Sequence, residues 1–276
     1  MKYATCFLAF AMACGSAGNG GMGLTSGATP DAGQPDAPPL SSATLYRFSA
    51  LELADPHLYI GSGSLCLDVT PFVNNIATNF LNTDTVEPTD GKLDASLAIA
   101  FRPLVTSAGS STAIDIELPV CTAPELTAEC TATADTPKYA TTVMVQGAGT
   151  CLDVLPGTAS NPPDLPTAPC FASASTTLKV SFAGTDITLV DARGAATYAG
   201  DRLNNGLIRG FLSQTDAEAI QLKTEKYGTY SVASFLYGGG SCHDDGSKGD
   251  LDVGPDGQPG WYIYLQFRAE KVPYRE

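Results

Sequence analysis

The chain has 276 residues, 43% of them hydrophobic, and a formal net charge of −14 at pH 7. That acidity, with no cluster of lysine or arginine, repels phosphate backbones and excludes nucleic acid as a partner. Beyond the N-terminus no apolar stretch approaches eighteen residues, so no later segment reads as a membrane-spanning helix.

Met1-Lys2 gives a short positive start, and Tyr3 to Ala13 is an uncharged, largely apolar run of eleven residues. The run suits the hydrophobic region of a signal peptide over residues 1–13 and is too short to span a bilayer. It ends in Ala11-Met12-Ala13-Cys14-Gly15, which resembles the bacterial lipobox. Lipoboxes usually carry leucine where this chain has Ala11, and a small or β-branched residue where it has Met12. The resemblance implies diacylation of Cys14 and a membrane partner held through the lipid. Gly15 after the cysteine implies the outer membrane rather than retention in the inner one. An ordinary signal, cut after Ala13 or Ala17, is the alternative.

Residues 14–40 read as a tether carrying the lipid-attachment cysteine. They are Gly/Ser-rich, then Asp/Ala/Pro-rich from Thr29 to Pro39, with only Met22 and Leu24 as large apolar side chains. Such a segment buries too little to offset its ordering entropy, and a coil of this length reaches roughly 25–30 Å. Its composition resembles the tethers of myxobacterium-type lipoproteins.

Residues 41–276 read as one β-rich, extracytoplasmic domain. Leu45 to Phe48 and His57 to Ile60 are strand pieces, and a Gly61–Ser64 turn leads to Leu65–Val69. Thr70-Pro71 opens a helix, with threonine expected as cap and proline in the first turn. Phe72, Ile76 and Phe80 recur at helical spacing, as do Val73, Ala77 and Leu81, so both stripes are expected to pack on a sheet. Leu93 to Phe101 alternates strictly, and Ala98 and Ala100 on its other face point to a second covered face. Ile114, Ile116 and Leu118 alternate with acids, and Val143 and Val145 mark a further strand. Leu178 to Leu189 forms a hairpin turning at 183–186. Asn205 to Leu212 is a short buried strand. Thr215-Asp216-Ala217-Glu218 reads as a capping box for a brief helix to Leu222, and Ser231 to Tyr237 as another helical turn. Trp261, Ile263, Leu265 and Phe267 share one face of the last strand, with Tyr262, Tyr264, Gln266 and Arg268 on the other. The expected class is mainly β, sandwich-like with an α+β alternative, carrying two or three short helices.

Of eight cysteines, Cys6 and Cys14 belong to the leader, leaving Cys66, Cys121, Cys130, Cys151, Cys170 and Cys242. An even set in an exported chain means disulfides before metal or catalytic thiols. Loop closure favours Cys121–Cys130 and Cys151–Cys170, which leaves Cys66–Cys242 to close the longest loop. Cys66-Leu67-Asp68-Val69 recurs as Cys151-Leu152-Asp153-Val154, an echo compatible with duplication or with chance.

Chemistry has three candidate seats. Asp244, Asp245, Asp250, Asp252 and Asp256, interleaved with glycines, offer the oxygen-rich loop that calcium prefers, although the EF-hand spacing fails; the alternative is a solvated acidic turn. Tyr262 and Tyr264 stand about 7 Å apart on one strand face, where they would stack on a sugar ring unless a helix or loop covers them. Third, two acids in a cleft would suffice for glycoside hydrolysis. His57 and His243 lack a Gly-x-Ser-x-Gly elbow, and no His-Glu-x-x-His occurs. The leading expectation is a non-enzymatic cell-envelope module that binds a glycan or an envelope protein. A carboxylate-pair carbohydrate hydrolase and a calcium-dependent adhesin are the alternatives.

Overall fold

The computed structural model describes residues 42–276, except 63–64, 85–88, 94–95, 133–138, 160, 183–184, 225–227 and 237–250. It is mainly β, with three short helices, and its sandwich-like layering takes the form of one sheet closed on itself. In chain order the first elements are β1 (Thr44–Asp55), β2 (Tyr59–Ser62), β3 (Leu65–Asp68), α1 (Thr70–Phe80), β4 (Ala98–Arg102) and β5 (Ser111–Glu117). Next come β6 (Val120–Cys121), β7 (Cys130–Thr131), β8 (Tyr139–Gln146), β9 (Cys170–Ser173), β10 (Thr176–Phe182), β11 (Thr185–Tyr198) and β12 (Arg202–Ser213). The last are α2 (Gln214–Ala219), β13 (Gln221–Thr224), β14 (Gly228–Ser231), α3 (Val232–Leu236), β15 (Asp252–Val253), β16 (Pro259–Val272) and β17 (Tyr274–Arg275).

The antiparallel path β1-β4-β5-β8-β9-β11-β12-β16 closes because β16 also pairs with β1, Leu45 opposite Val272 and Leu53 opposite Leu265. This is an up-and-down barrel of eight strands, a width that side chains alone can fill. Inward positions supply the filling: Tyr46, Phe48, Phe101, Phe171, Tyr198 and Phe267 are all buried. The Phe48 and Phe267 rings stack at 4.5 Å, and Phe101 meets Phe171 edge-on at 5.1 Å. Gly206 is required here, since a Cβ would lie 2.5 Å from the Phe267 ring.

Strands β4, β5, β8 and β9 are short. Below them the barrel continues as an open sheet of β1, β16, β12, β11 and β10. Its concave face, with Trp261 and Ile263 buried, is closed by Val73 of α1, Ala217 of α2 and Phe235 of α3. Val73 of α1 is buried against this body and Leu81, just past the helix end, against the barrel core, whereas Ile76, Ala77 and Phe80 are half-buried and Phe72 is 54% exposed. The helix lies beside the free edge of β1. Asn74 accepts from Leu53 N–H at 2.7 Å and donates to its carbonyl at 2.9 Å, while Asn82 donates to the Ser49 carbonyl. Amide side chains thus take the place of a missing strand. Thr70 is not the cap: Val69 holds that position, and the Thr70 hydroxyl accepts from Leu58 N–H. Ser213, rather than Thr215, caps α2, accepting from Asp216 N–H at 3.0 Å.

The outer face of Ala98 and Ala100 is covered by the Cys121–Cys130 loop and the C-terminal residues Val272 and Tyr274. Buried Arg47 reaches out to the Pro124 carbonyl at 2.7 Å and pins that loop. A second flap, residues 147–168, is tied by Cys151–Cys170 and covers the outer face of β11, β12 and β16. Cys66 is also disulfide-bonded; Cys242 lies outside the described residues. The repeated Cys-Leu-Asp-Val begins in a strand at Cys66–Asp68 but lies on irregular backbone at 151–154, so the two copies do not share a backbone conformation.

Candidate functional site

The flap decides what happens to the outer face of β16. Tyr262 is 5% exposed and Tyr264 is 0% exposed. The Tyr264 hydroxyl accepts from Leu155 N–H at 3.1 Å and meets the Thr158 hydroxyl. Beneath the same flap Arg209 donates to the Asp153 carbonyl at 3.1 Å and to Asp191 at 3.2 Å. Burial pushes both phenols above their ordinary pKa. The expectation of an exposed tyrosine pair is therefore corrected: these rings are the inner lining of a covered face. A tyrosine-rich strand and a disulfide-closed loop nearby give the same sequence signature whether or not the loop lies on the strand.

Asp252 is also buried, and its Oδ2 accepts from Tyr262 N–H at 2.8 Å. Asp256 accepts from Gln258 N–H at 3.1 Å and closes its own turn. Both carboxylates therefore satisfy backbone donors of the β15–β16 hairpin. Asp244, Asp245 and Asp250 lie outside the described residues, as does His243. Among the described residues no group of three or more metal-ligating side chains occurs.

Two concavities stand out among the described residues. The first opens where β8 and β10 diverge, over a floor that includes Ile99, Ile114, Ile208 and Phe267; its free volume is about 40 Å³. That is little more than the share of liquid volume of one water, so this cleft holds no sizeable ligand in this conformation.

The second is larger and lined by both polar and apolar groups. It runs along the outer face of β1 and β16 below the flap, as two adjoining cavities of about 280 and 390 Å³. These sizes suit a small-molecule site. Glu52 and Gln266 face each other directly across the strand pair and belong to both cavities. One wall is α1, through Thr70 and Asn74; the other is the flap, through Asn161 and Asp164. Asn205 completes the upper end from a bulge in β12, at φ 45°. A bulge inserts one residue and re-aims its neighbours, and asparagine tolerates this left-handed backbone. Arg268 stands 3.8 Å from Glu52.

At the lower end His57 Nδ1 bonds Asp68 at 2.7 Å, and the other Asp68 oxygen accepts from Thr70 N–H at 2.9 Å. Burial pushes the Asp68 carboxyl up, but the hydrogen bonds from Thr70 and His57 outweigh it and hold the carboxyl below its ordinary value. The flap is fixed against this end too, because Asn161 N–H donates to buried Asp55 at 3.0 Å.

Chemically, the groove offers carboxylates, primary amides and one guanidinium within a single concavity. Sequence reasoning placed Gln266 and Arg268 on an outer face but missed Glu52, Asn161, Asp164 and Asn205. They come from separate segments, and no local pattern joins them. Comparison of the chain with protein-family models, with curated proteins and with solved structures found no match.

Proposed function

We propose that this chain is an exported, lipid-anchored cell-envelope module that binds a glycan in the groove between β1, β16, α1 and the flap. The observation that carries the reading is the shared floor of Glu52 and Gln266, with Asn161, Asp164, Asn205 and Arg268 around it. Sugar hydroxyls both donate and accept. Planar carboxylates, amides and guanidinium groups match vicinal hydroxyl pairs with two parallel bonds. Lys2, the apolar run to Ala13, Cys14 and the tether support export and anchoring, and disulfide-bonded cysteines suit an oxidising compartment.

Titrating the protein with soluble oligosaccharides released from bacterial envelopes tests this reading by calorimetry. Glu52→Ala and Gln266→Ala should each weaken binding by about tenfold, or roughly 1.4 kcal/mol. Unchanged affinity in both variants would refute the assignment.

Glu52 and Asp164 line one cavity, which favours a second reading: hydrolysis of the bound glycan by a carboxylate pair. Product release that is abolished by Glu52→Gln and Asp164→Asn, with binding retained, would establish it. A calcium-dependent adhesive role would rest on the loop of Asp244, Asp245, Asp250, Asp252 and Asp256, in which Asp252 and Asp256 each also accept a backbone hydrogen bond.

A further inference from the structure

His57 and Asp68 close the lower end of the groove, and glycan binding by the floor residues uses neither. His57 lines the cavity of about 390 Å³ together with Glu52, Asn161 and Gln266. Its Nδ1 lies 2.7 Å from an Asp68 oxygen, and the two side chains are 25% and 35% exposed, open to water without being loose in it. An ionised carboxylate only accepts, so Nδ1 carries the proton and Nε2 is left as the basic nitrogen.

One residue holds both partners. The Thr70 hydroxyl accepts from Leu58 N–H at 2.7 Å, next to His57, and Thr70 N–H donates to the other Asp68 oxygen at 2.9 Å. The carbonyl of buried Leu58 accepts from Val69 N–H at 2.8 Å. The imidazole is therefore fixed in tautomer and in place, as a reacting group must be and a surface ion pair need not be.

The surroundings select the reaction. Among the described residues lining this cavity there is no serine or cysteine, and the Thr70 hydroxyl is engaged with Leu58. The nucleophile open to such a base is water. Glu52, Asp68 and Asp164 make the groove acidic, which repels a phosphate or sulfate ester. Cleaving a glycosidic bond takes two carboxyl groups. A single imidazole suits an acyl ester, for which one group takes a proton and then returns it. We propose that the groove removes acetyl or similar short acyl groups from hydroxyls of the bound glycan, with His57 as general base and Asp68 as positioning residue. The inference rests on the glycan reading of the groove.

In the reaction His57 Nε2 takes a proton from water as the water oxygen bonds the acyl carbon. The primary amides of Asn161 and Gln266, on the same cavity wall, supply N–H donors for the oxyanion. The bond between acyl carbon and sugar oxygen then breaks, and the imidazolium returns its proton to the departing oxygen. A carboxylic acid and a free sugar hydroxyl leave.

The test uses the full chain and chemically O-acetylated envelope oligosaccharides, with free acetate followed by proton NMR and binding by calorimetry. The parent should release acetate, and His57→Ala should lower kcat by about a hundredfold or more while affinity is kept. Added imidazole should restore part of that rate, which the repair of a purely structural loss would not explain. Asp68→Asn should lower kcat with KM unchanged, since an amide donor beside Nδ1 favours the tautomer whose Nε2 is already protonated. Binding without acetate release would overturn the proposal and leave the glycan reading standing, whereas absence of binding would remove both. Release that survives in His57→Ala would also overturn it. So would equal loss of kcat and affinity in both variants, which would make the pair structural.

Discussion

Tyr264 shows how much of this molecule turns on single polar atoms. Its ring is buried in the outer-face cluster, and its hydroxyl holds the flap at Leu155 and Thr158. Tyr264→Phe keeps the packing and removes those bonds, so it should cost about 1–2 kcal/mol in urea unfolding. Amide exchange at Leu155 should quicken more than exchange in the barrel strands; equal acceleration everywhere would deny the hydroxyl this local role. Asp68 gives a pH-dependent counterpart. Its carboxyl titrates lower in the folded state than in the unfolded one. The stability it contributes is thus present above the unfolded value, about 3.9, and is lost as pH falls through the folded value. Asp68→Asn should therefore be less stable than the parent at neutral pH and converge on it in acid, once pH has fallen through the folded value. A gap that persists in acid would mean that Asp68 acts through shape, not charge.

At the scale of elements, α1 and the flap are devices for satisfying and covering β1 and β16. Asn74 bonds both backbone groups of Leu53, and Asn74→Ala leaves them without that partner, at a cost of about 2 kcal/mol measured by denaturant unfolding. Asn74→Asp, which keeps the acceptor and loses the donor, should fall between the two. The flap is closed by a disulfide spanning 19 residues, and replacing both Cys151 and Cys170 by alanine should cost about 3 kcal/mol. Because Asn161 and Asp164 ride on the flap, the same variant should also lose affinity for the groove's ligand. Helical spacing made Val73 and Leu81 legible as buried positions. It could not show that Asn74, Thr78 and Asn82 would meet a strand edge, because that edge is free only where β4 is short. Alternation likewise identified both faces of β16, but coverage of the tyrosine face depends on a flap more than a hundred residues earlier.

The whole molecule is a closed barrel that widens below into an open sheet capped by helices. Strand alternation and the cysteine pairs at 121–130 and 151–170 made its class and its staples readable in the sequence. Closure was not readable, because the β1–β16 pairing joins the two ends of the domain. The groove was hidden for the same reason: its walls are assembled by that closure. The fold also sets an alkaline limit. Burial raises the phenols of Tyr46, Tyr198, Tyr264 and Tyr274, the last, next to Glu117, to about 12. Each favours the folded state fully below the unfolded value near 10, and that contribution is lost as pH rises through the folded values. Stability followed by near-ultraviolet absorbance should hold to about pH 10 and then fall steeply, with Tyr274→Phe flattening the fall.

The measurement that most directly tests the account is amide chemical-shift mapping of the protein during titration with an envelope oligosaccharide. The account predicts shifts concentrated at residues 50–54, 161–164, 205 and 266–268, and their disappearance in Glu52→Ala. Shifts confined to the cleft between β8 and β10, or binding that leaves Glu52 and Gln266 undisturbed, would contradict it.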